Sequence, residues 1–357
     1  MLILLPLAAA LALSAGAPAA PSPAAQAGPA VGAAELEALV RAISAKLREA
    51  YVFPEVGERA AAELTRRWRA GAYRALGPPE AVASQLSAEL LELTRDRHLT
   101  LEAAPPRPAG PPETAEARQR RYQAFQRRVA RDHRGVPRVE VLPGNVGYLA
   151  VTGFPDADLA GPAYAAAFAF LADAEALILD LRQNMGGDPA AAALLVSYLL
   201  PAPSVLVNRV RNRDGTEAQF WSSPSLPGPR VLDRPVWVLT SRETPSAAEE
   251  VAYDLQALKR ATVVGEVTWG GANPAADHRV GERFVLAVPF GQAVNPVTGK
   301  NWEGTGVAPD VAVPAAEAPR RARQEALRAL LAREADPAWR GELEAALAAL
   351  AAGEPAR

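Results

Sequence analysis

The chain has 357 residues, of which 49% are hydrophobic and 22% are charged, a balance typical of a folded globular protein. Its formal net charge of -2 provides no overall basic field that would attract nucleic acid or anionic lipid. It contains no cysteine, which excludes disulfides, a cysteine nucleophile and cysteine-ligated metal.

The first part of the chain is apolar and then becomes rich in alanine, proline and serine. The run MLILLPLAAALALSAGA is too short for a comfortable membrane span, and PAAPSPAAQAGPA follows it. This pattern predicts a signal peptide over residues 1–27, cleaved after an A-x-A site at Ala25–Ala27 or at Ala15–Ala17. We therefore predict export to the periplasm, the cell envelope or the extracellular space. The alternative is an uncleaved tail or a misassigned start codon, because no Lys or Arg precedes the apolar run.

Three stretches after this segment carry apolar residues at helical spacing. They cover residues 35–50, 55–70 and 80–95, and each places its larger apolar side chains on one face. We predict that they form a small N-terminal helical-bundle domain over residues 33–103. A Pro-rich linker and a basic helix follow over residues 104–137, and the basic side chains of that helix are expected to face solvent.

From residue 138 onward the chain is rich in strand patterns. ALILDL, at residues 176–181, is a continuous apolar run, as expected for a buried parallel strand, and VWVLTS and ATVVGE predict further core strands. The alternation of strands with helices predicts an α/β domain with a layered sheet over residues 138–314. The Ala-rich tail, residues 315–357, is predicted to be helical and to pack on the core.

Ser246 lies in TSRETPSAAEEVAYDLQ, between a predicted strand and a predicted helix. With Glu249 it forms an S-x-x-E pattern, which is a capping box at a helix start. The position also suits a nucleophile, because a helix N-terminus favours negative charge and the N–H of Ala247 can serve one side of an oxyanion hole. Gly186 and Gly187, in the loop QNMGGD, allow the backbone to approach a substrate closely. The alternative for this glycine pair is an ordinary tight turn.

The chain has three histidines, His98, His133 and His278, and their spacing matches no metal cage. We therefore predict no metal and no other cofactor. Glu303 follows Trp302 in NWEGTGVAPD, where a carboxylate can orient a histidine as the acid of a catalytic triad does. The alternatives are histidines with structural or solvent-exposed roles, and a surface glutamate in a turn.

Six blocks of the sequence are informative when taken together: YVFPEVGERAAAEL, LTRDRHLTL, VEVLPGNVGYLAVTGF, LILDLRQNMGGDPAAAALLVSYLL, TPSAAEEVAYDLQALKRATVVGE and NPVTGKNWEGTGVAPDV. Together they resemble peptidase family S41, the C-terminal-processing or tail-specific serine peptidases. They extend in the family's order over about residues 34–314, and are most similar to the branch of interphotoreceptor retinoid-binding protein and tricorn protease. The resemblance implies a ClpP/crotonase-like layered β-sheet core. No PDZ domain is expected, because the interval between residues 104 and 138 is too short for one.

The resemblance also implies roles for individual residues. Ser246 matches the family nucleophile, whereas the lysine base of the processing peptidases is replaced here by Gly271. His98 and Glu303 match the base and the acid of the tricorn-like branch. Arg97 stands where that branch has a serine, so the resemblance implies a Ser-His-Glu triad rather than a tetrad.

Gly186 or Gly187, together with Ala247, match the oxyanion-hole donors of the family. The implied activity is hydrolysis of polypeptides through an acyl-enzyme, with no nucleic-acid partner. The same resemblance supports an alternative, a secreted non-catalytic carrier of hydrophobic ligands such as retinoids or fatty acids. Retention of the serine, the histidine and the glutamate favours the enzyme, since a carrier needs none of them. The sequence predicts neither the cleavage specificity nor the oligomeric state.

Overall fold

The computed structural model describes residues 29–73, 77–106 and 113–352. The predicted signal peptide, residues 1–27, lies outside these residues. Within them the chain divides into two compact units. The first unit combines the described residues before position 107 with Pro274–Phe290, and the second unit holds the other described residues.

Helices and strands alternate along most of the described chain. The helices are α1 (Ala33–Ala50), α2 (Pro54–Arg69), α3 (Pro79–Thr94), α4 (Ala115–Arg131), α5 (Ala157–Phe170), α6 (Pro189–Ser197), α7 (Ala247–Ala257), α8 (Ala318–Leu331) and α9 (Pro337–Ala351). The strands are β1 (Thr100–Ala103), β2 (Arg138–Leu142), β3 (Val146–Ala150), β4 (Ala176–Asp180), β5 (Leu206–Asn212), β6 (Glu217–Trp221), β7 (Val236–Thr240), β8 (Thr262–Gly265), β9 (Ala275–Arg279), β10 (Phe284–Pro289), β11 (Gly291–Val294) and β12 (Val311–Ala312).

The first unit packs α1, α2 and α3 against a three-stranded antiparallel sheet of order β1-β10-β9. The apolar faces predicted for the three helices are buried, with Ile43, Leu64 and Leu86 fully inside. Strand β10 places Phe284 and Leu286 in the same core. The sequence analysis assigned these strands to the 138–314 domain. They belong with the helices because β10 pairs with β1, a contact between distant parts of the chain that local patterns do not show.

The second unit is built on a six-stranded sheet of order β12-β8-β7-β4-β3-β2. Its neighbours are parallel from β12 to β3, and β2 is antiparallel to β3. Strands β4 and β7 are buried along their whole length, as their continuous apolar runs predict. Because parallel strands end at the same edge of a sheet, the loops after β4, β7 and β8 lie side by side there.

Helices cover both faces of this sheet, which gives the layered α/β fold that was predicted. Helices α5, α6 and α7 share one core with the sheet, and α8 and α9 share the core on the other face. The predicted packing of the C-terminal helices is confirmed, since Leu327, Leu330 and Leu343 are buried against the sheet. Strands β11, β5 and β6 form a separate antiparallel sheet. None of the described helices combines the length and apolarity needed to cross a bilayer.

Candidate active site

Ser246 lies at the turn from β7 into α7, as the sequence predicts. The predicted capping box is present, and Glu249 Oε2 accepts a hydrogen bond from the N–H of Ser246 at 2.9 Å. Ser246 has φ 55° and ψ -125°. A side-chain-bearing residue in such a sparsely populated conformation carries a strain of roughly 1–3 kcal/mol. A strained serine between a strand and a helix is typical of a nucleophile, because the turn projects its Oγ away from the backbone.

The turn before Ser246 is fixed to the loop that follows β4. Ser241 Oγ donates a hydrogen bond to the carbonyl of Arg182 at 2.7 Å, and Thr244 Oγ1 donates to the carbonyl of Leu181 at 3.0 Å. Both hydroxyl groups are buried with their residues. The serine turn and the loop that carries the two glycines are therefore held together by buried hydrogen bonds, which are costly to break.

The two glycines are required by the space around them. A Cβ on Gly186 would lie 3.0 Å from Ser246 Cβ, so this backbone lies directly against the serine. Gly187 has φ 136°, and a Cβ there would lie 2.1 Å from the carbonyl oxygen of Phe154. No other residue type fits at Gly187 without moving the backbone. The pair is thus more than a tight turn, because it brings a main-chain segment against Ser246.

The hydrogen bonds of this loop show which of the candidate oxyanion donors already has an acceptor. The N–H of Gly186 donates to Oδ1 of the buried Asn184 at 2.8 Å, while Asn184 Nδ2 donates to the carbonyl of Val151 at 2.9 Å. None of the hydrogen bonds among the described residues uses the N–H of Gly187 or of Ala247. Of the predicted donors, Gly187 and Ala247 are therefore the pair that remains available to an oxyanion.

Glu303 lies in the second unit, in the loop before β12, and its carboxylate is tied to the loop after β8. Its Oε2 accepts hydrogen bonds from the N–H of Ala272 at 2.6 Å and from the N–H of Asn273 at 3.0 Å. The neighbouring Trp302 is buried and donates from Nε1 to the carbonyl of Gly271 at 2.9 Å. The acidic side chain is therefore held in a fixed position rather than standing on a surface turn.

Gly271, which the resemblance aligns with the family lysine, has a backbone N–H that donates to Glu249 Oε2 at 2.9 Å. Lys259 follows the C-terminal end of α7, whereas Ser246 is at the other end of that 11-residue helix. A helix of that length spans about 16 Å. Lys259 therefore lies at the far end of this helix from Ser246.

His98 lies in the first unit, in the turn between α3 and β1. The backbone N–H of His98 donates to Oδ1 of the buried Asp96 at 3.1 Å, and Asp96 Oδ2 accepts a hydrogen bond from the hydroxyl of Tyr51. Burial lowers the pKa of His98 to about 4, so its imidazole is neutral near pH 7 and can accept a proton. Because Ser246 and Glu303 belong to the other unit, the pairing of His98 with them stays a prediction.

The remaining two histidines are less suited to the site. His133 is exposed at the end of α4, and His278 lies within strand β9. The sequence analysis gave no role in the site to three residues that hold the turns around the candidate residues: Asp96, Asn184 and Glu249. Each accepts main-chain hydrogen bonds in a turn or loop. Only Glu249 had a visible sequence signal, the capping box, and that signal did not reveal its contacts outside the helix.

Helix α7 also carries two acidic side chains that are buried behind the serine turn. Glu250 and Asp254 are 5% and 1% exposed. Burial raises the pKa of Glu250 to about 8, with a further contribution from the charge of Asp188 and an opposing one from a hydrogen bond with Asn208. Burial and the charge of Glu250 raise the pKa of Asp254, against its hydrogen bond from Asn295.

This burial predicts how stability depends on pH. In the unfolded chain Glu250 ionises near pH 4.5, whereas in the folded protein it stays protonated up to about pH 8. Its contribution to the free energy of unfolding is therefore largest below pH 4.5 and is lost as the pH rises to 8. Glu250→Gln should gain on the order of 2–4 kcal/mol relative to wild type between pH 4.5 and pH 9.

Urea denaturation of both proteins at the two pH values measures this difference. Glu344→Gln, which removes an exposed carboxylate on α9, is the control and should show no such change. A constant stability difference between wild type and Glu250→Gln across this range would show that Glu250 ionises normally in the folded protein.

Comparison with known proteins assigns the chain to a family. The family description "Peptidase family S41" matches residues 145–313, and "N-terminal domain of Peptidase_S41 in eukaryotic IRBP" matches residues 33–133. The chain belongs to peptidase family S41. The first match covers mostly residues of the second unit and includes Ser246 and Glu303, whereas the second match covers mostly residues of the first unit.

Individual members of the S41 family match shorter stretches. A carboxyl-terminal-processing protease of Synechocystis sp. is 42% identical over 97 residues, which cover 27% of this chain and 21% of the relative. Tricorn protease homolog 2 of Streptomyces coelicolor is 31% identical over 137 residues, 38% of this chain and 11% of the relative. A solved structure of a lipoprotein from Streptococcus agalactiae, 14% identical, aligns with a TM-score of 0.51 over 82% of this chain and 96% of that one. This last similarity supports the fold.

Proposed function

We propose that the protein is a serine-type peptidase that hydrolyses polypeptides through an acyl-enzyme formed on Ser246. The observation that carries the proposal is the strained Ser246 turn, with the Gly186–Gly187 backbone against it. A serine nucleophile needs an accessible Oγ and main-chain donors beside it, and the conformation of this turn with the adjacent glycine backbone supports that role for Ser246. Membership of family S41 supports the same reaction class.

In the proposed reaction, Ser246 Oγ attacks the carbonyl carbon of the scissile peptide bond while its proton passes to His98. The N–H groups of Gly187 and Ala247 stabilise the oxyanion of the tetrahedral intermediate. When the C–N bond breaks, His98 returns the proton to the leaving amine, and water then hydrolyses the ester by the reverse sequence of proton transfers. Glu303 orients the imidazole of His98 and stabilises its protonated form.

A carrier of hydrophobic ligands is not favoured, since it requires neither the strained serine nor the fixed carboxylate of Glu303. Export remains a prediction from the apolar leader, and a polypeptide remains the proposed substrate. Export and the natural substrate depend on the cell in which the protein acts. The triad, in contrast, can be tested with the purified protein.

Glu303→Gln tests the acid of the triad. The amide retains the shape of the side chain but cannot stabilise an imidazolium, so kcat for peptide hydrolysis is expected to fall roughly 10²–10⁴-fold. The measurement is the initial rate on an unstructured fluorogenic protein such as labelled casein. Glu344→Gln makes the same charge change on exposed α9 and should retain wild-type activity. Equal rates for the two variants would remove Glu303 from the mechanism.

A further inference from the structure

The loop after β8 directs four consecutive main-chain N–H groups at two carboxylates. Gly270 and Gly271 donate to Oε1 and Oε2 of Glu249 at 2.6 and 2.9 Å. The next two residues, Ala272 and Asn273, donate to Oε2 of Glu303 at 2.6 and 3.0 Å. The stretch that carries the base in lysine-dependent relatives therefore acts here as a bridge between two acidic side chains of the second unit.

Glu249 is the more enclosed of these two acids. It is fully buried, and besides the two glycine N–H groups it accepts hydrogen bonds from the N–H of Ser246 and from Thr268 Oγ1. Thr268 Oγ1 in turn accepts a hydrogen bond from the N–H of Val307 at 2.7 Å. Burial raises the pKa of Glu249 to about 7, while its four hydrogen bonds favour the ionised form. A buried carboxylate with four donors fixes every group that donates to it.

One of those donors belongs to the strained residue. The φ and ψ of Ser246 are unfavourable, so they persist only where the surroundings impose them. Oε2 of Glu249 accepts hydrogen bonds from both the N–H of Ser246 and the N–H of Gly271. A second tie joins the same segments, because the N–H of Trp269 donates to the carbonyl of Thr244 at 3.0 Å.

The other end of the bridge reaches the loop of Glu303. Trp302 Nε1 donates to the carbonyl of Gly271, and the N–H of Gly304 donates to the carbonyl of Gly270 at 2.9 Å. Residues 268–273 thus hold the Ser246 turn on one side and Glu303 on the other. A displacement of this loop would move both proposed catalytic groups.

We propose that Glu249 is a positioning residue, which through loop 268–273 holds Ser246 in its strained conformation and sets its placement relative to Glu303. This role rests on the proposed peptidase function and extends it. Glu249 itself does not touch the substrate. It acts by accepting hydrogen bonds, so a side chain of the same size that cannot accept all four is expected to lose the effect.

Glu249→Gln is the direct test, because the amide places donors where the carboxylate accepts from main-chain N–H groups. The expected result is a fall in kcat of about 10- to 100-fold, the equivalent of one or two charged hydrogen bonds, with KM within about threefold of wild type. Hydrogen–deuterium exchange over residues 268–273 is expected to become at least about tenfold faster. Unchanged kcat, or unchanged exchange in that loop, would each overturn the proposal.

A matched control exists in the first unit. Glu89 is also buried, and it accepts hydrogen bonds from Tyr73 OH at 2.5 Å and from Gln85 Nε2 at 2.9 Å. Glu89→Gln removes a buried carboxylate that also pairs with Arg67 at 3.3 Å and whose partners all belong to the first unit. It should leave kcat and the exchange of that loop as in wild type. A loss of activity as large as that of Glu249→Gln would show a general effect of instability and overturn the positioning role.

Two conservative variants cover the case in which Glu249→Gln does not fold. Thr268→Val removes one donor to Glu249, and Thr268→Ser restores it. The valine variant is expected to lower kcat about 3- to 30-fold and to speed exchange in the loop, and the serine variant to recover both. Equal behaviour of the two would overturn the proposal. If wild type shows no hydrolysis, the proposed function fails, and the exchange measurements alone decide whether Glu249 holds the loop.

Discussion

Ser246→Ala is expected to lower kcat for peptide hydrolysis by at least about 10⁴-fold, because the acyl-enzyme cannot form without the hydroxyl oxygen. Binding of the substrate and the main-chain donors of Gly187 and Ala247 are unchanged by this substitution. Any residual rate therefore measures what those donors contribute without a nucleophile. The measurement is turnover of labelled casein at matched protein concentration.

The same variant should fold normally. Alanine has to adopt the same positive φ as Ser246, and its Cβ occupies the same space, so the free energy of unfolding should stay within about 1 kcal/mol of wild type. Ser225→Ala, which removes an exposed hydroxyl in the same unit, is the control for activity. If Ser246→Ala retained more than about a tenth of the wild-type rate, Ser246 would be only the first residue of a helix.

His98→Ala is expected to lower kcat by about 10³- to 10⁴-fold, because Ser246 then lacks a base to take its proton. This is the most demanding test of the proposed triad, since His98 comes from the first unit and Ser246 from the second. Burial lowers the pKa of His98 to about 4, so the imidazole is unprotonated throughout the neutral pH range.

His133→Ala is the control for the loss of a histidine, because His133 is exposed at the end of α4. It should hydrolyse casein at the wild-type rate. Circular dichroism and melting temperature of His98→Ala show whether the first unit stays folded. A well-folded His98→Ala variant with wild-type kcat would mean that another group activates Ser246.

The sequence predicted the local elements of the fold well, for physical reasons that act over short distances. Ile43 and Leu47 have helical spacing because one face of α1 is buried. Strand β4 is a continuous apolar run because both of its faces are buried. The membership of β9 and β10 in the first unit was not predictable in this way. It depends on the pairing of β10 with β1 across more than half of the chain and of β9 with β10, and the alternating pattern of β10 fits either sheet.

The sequence could propose residues for the site but not their backbone conformation. The resemblance to family S41 pointed to Ser246 and Glu303 as candidates, and the capping box placed Glu249 beside the serine. Neither could show that Ser246 has a positive φ, that the N–H of Gly186 is already bonded to Asn184, or that Glu249 holds a second loop. These features arise from main-chain hydrogen bonds between loops that are distant in sequence.

The most direct test of the central claim is to react the protein with a fluorophosphonate and locate the adduct by mass spectrometry of its peptides. A fluorophosphonate phosphonylates a serine only where a base and an oxyanion hole activate it. The account predicts one adduct, on Ser246 in wild type, and at least about 10³-fold slower reaction in the His98→Ala variant. An adduct on a different serine, or reaction at Ser246 that is equally fast without His98, would contradict it.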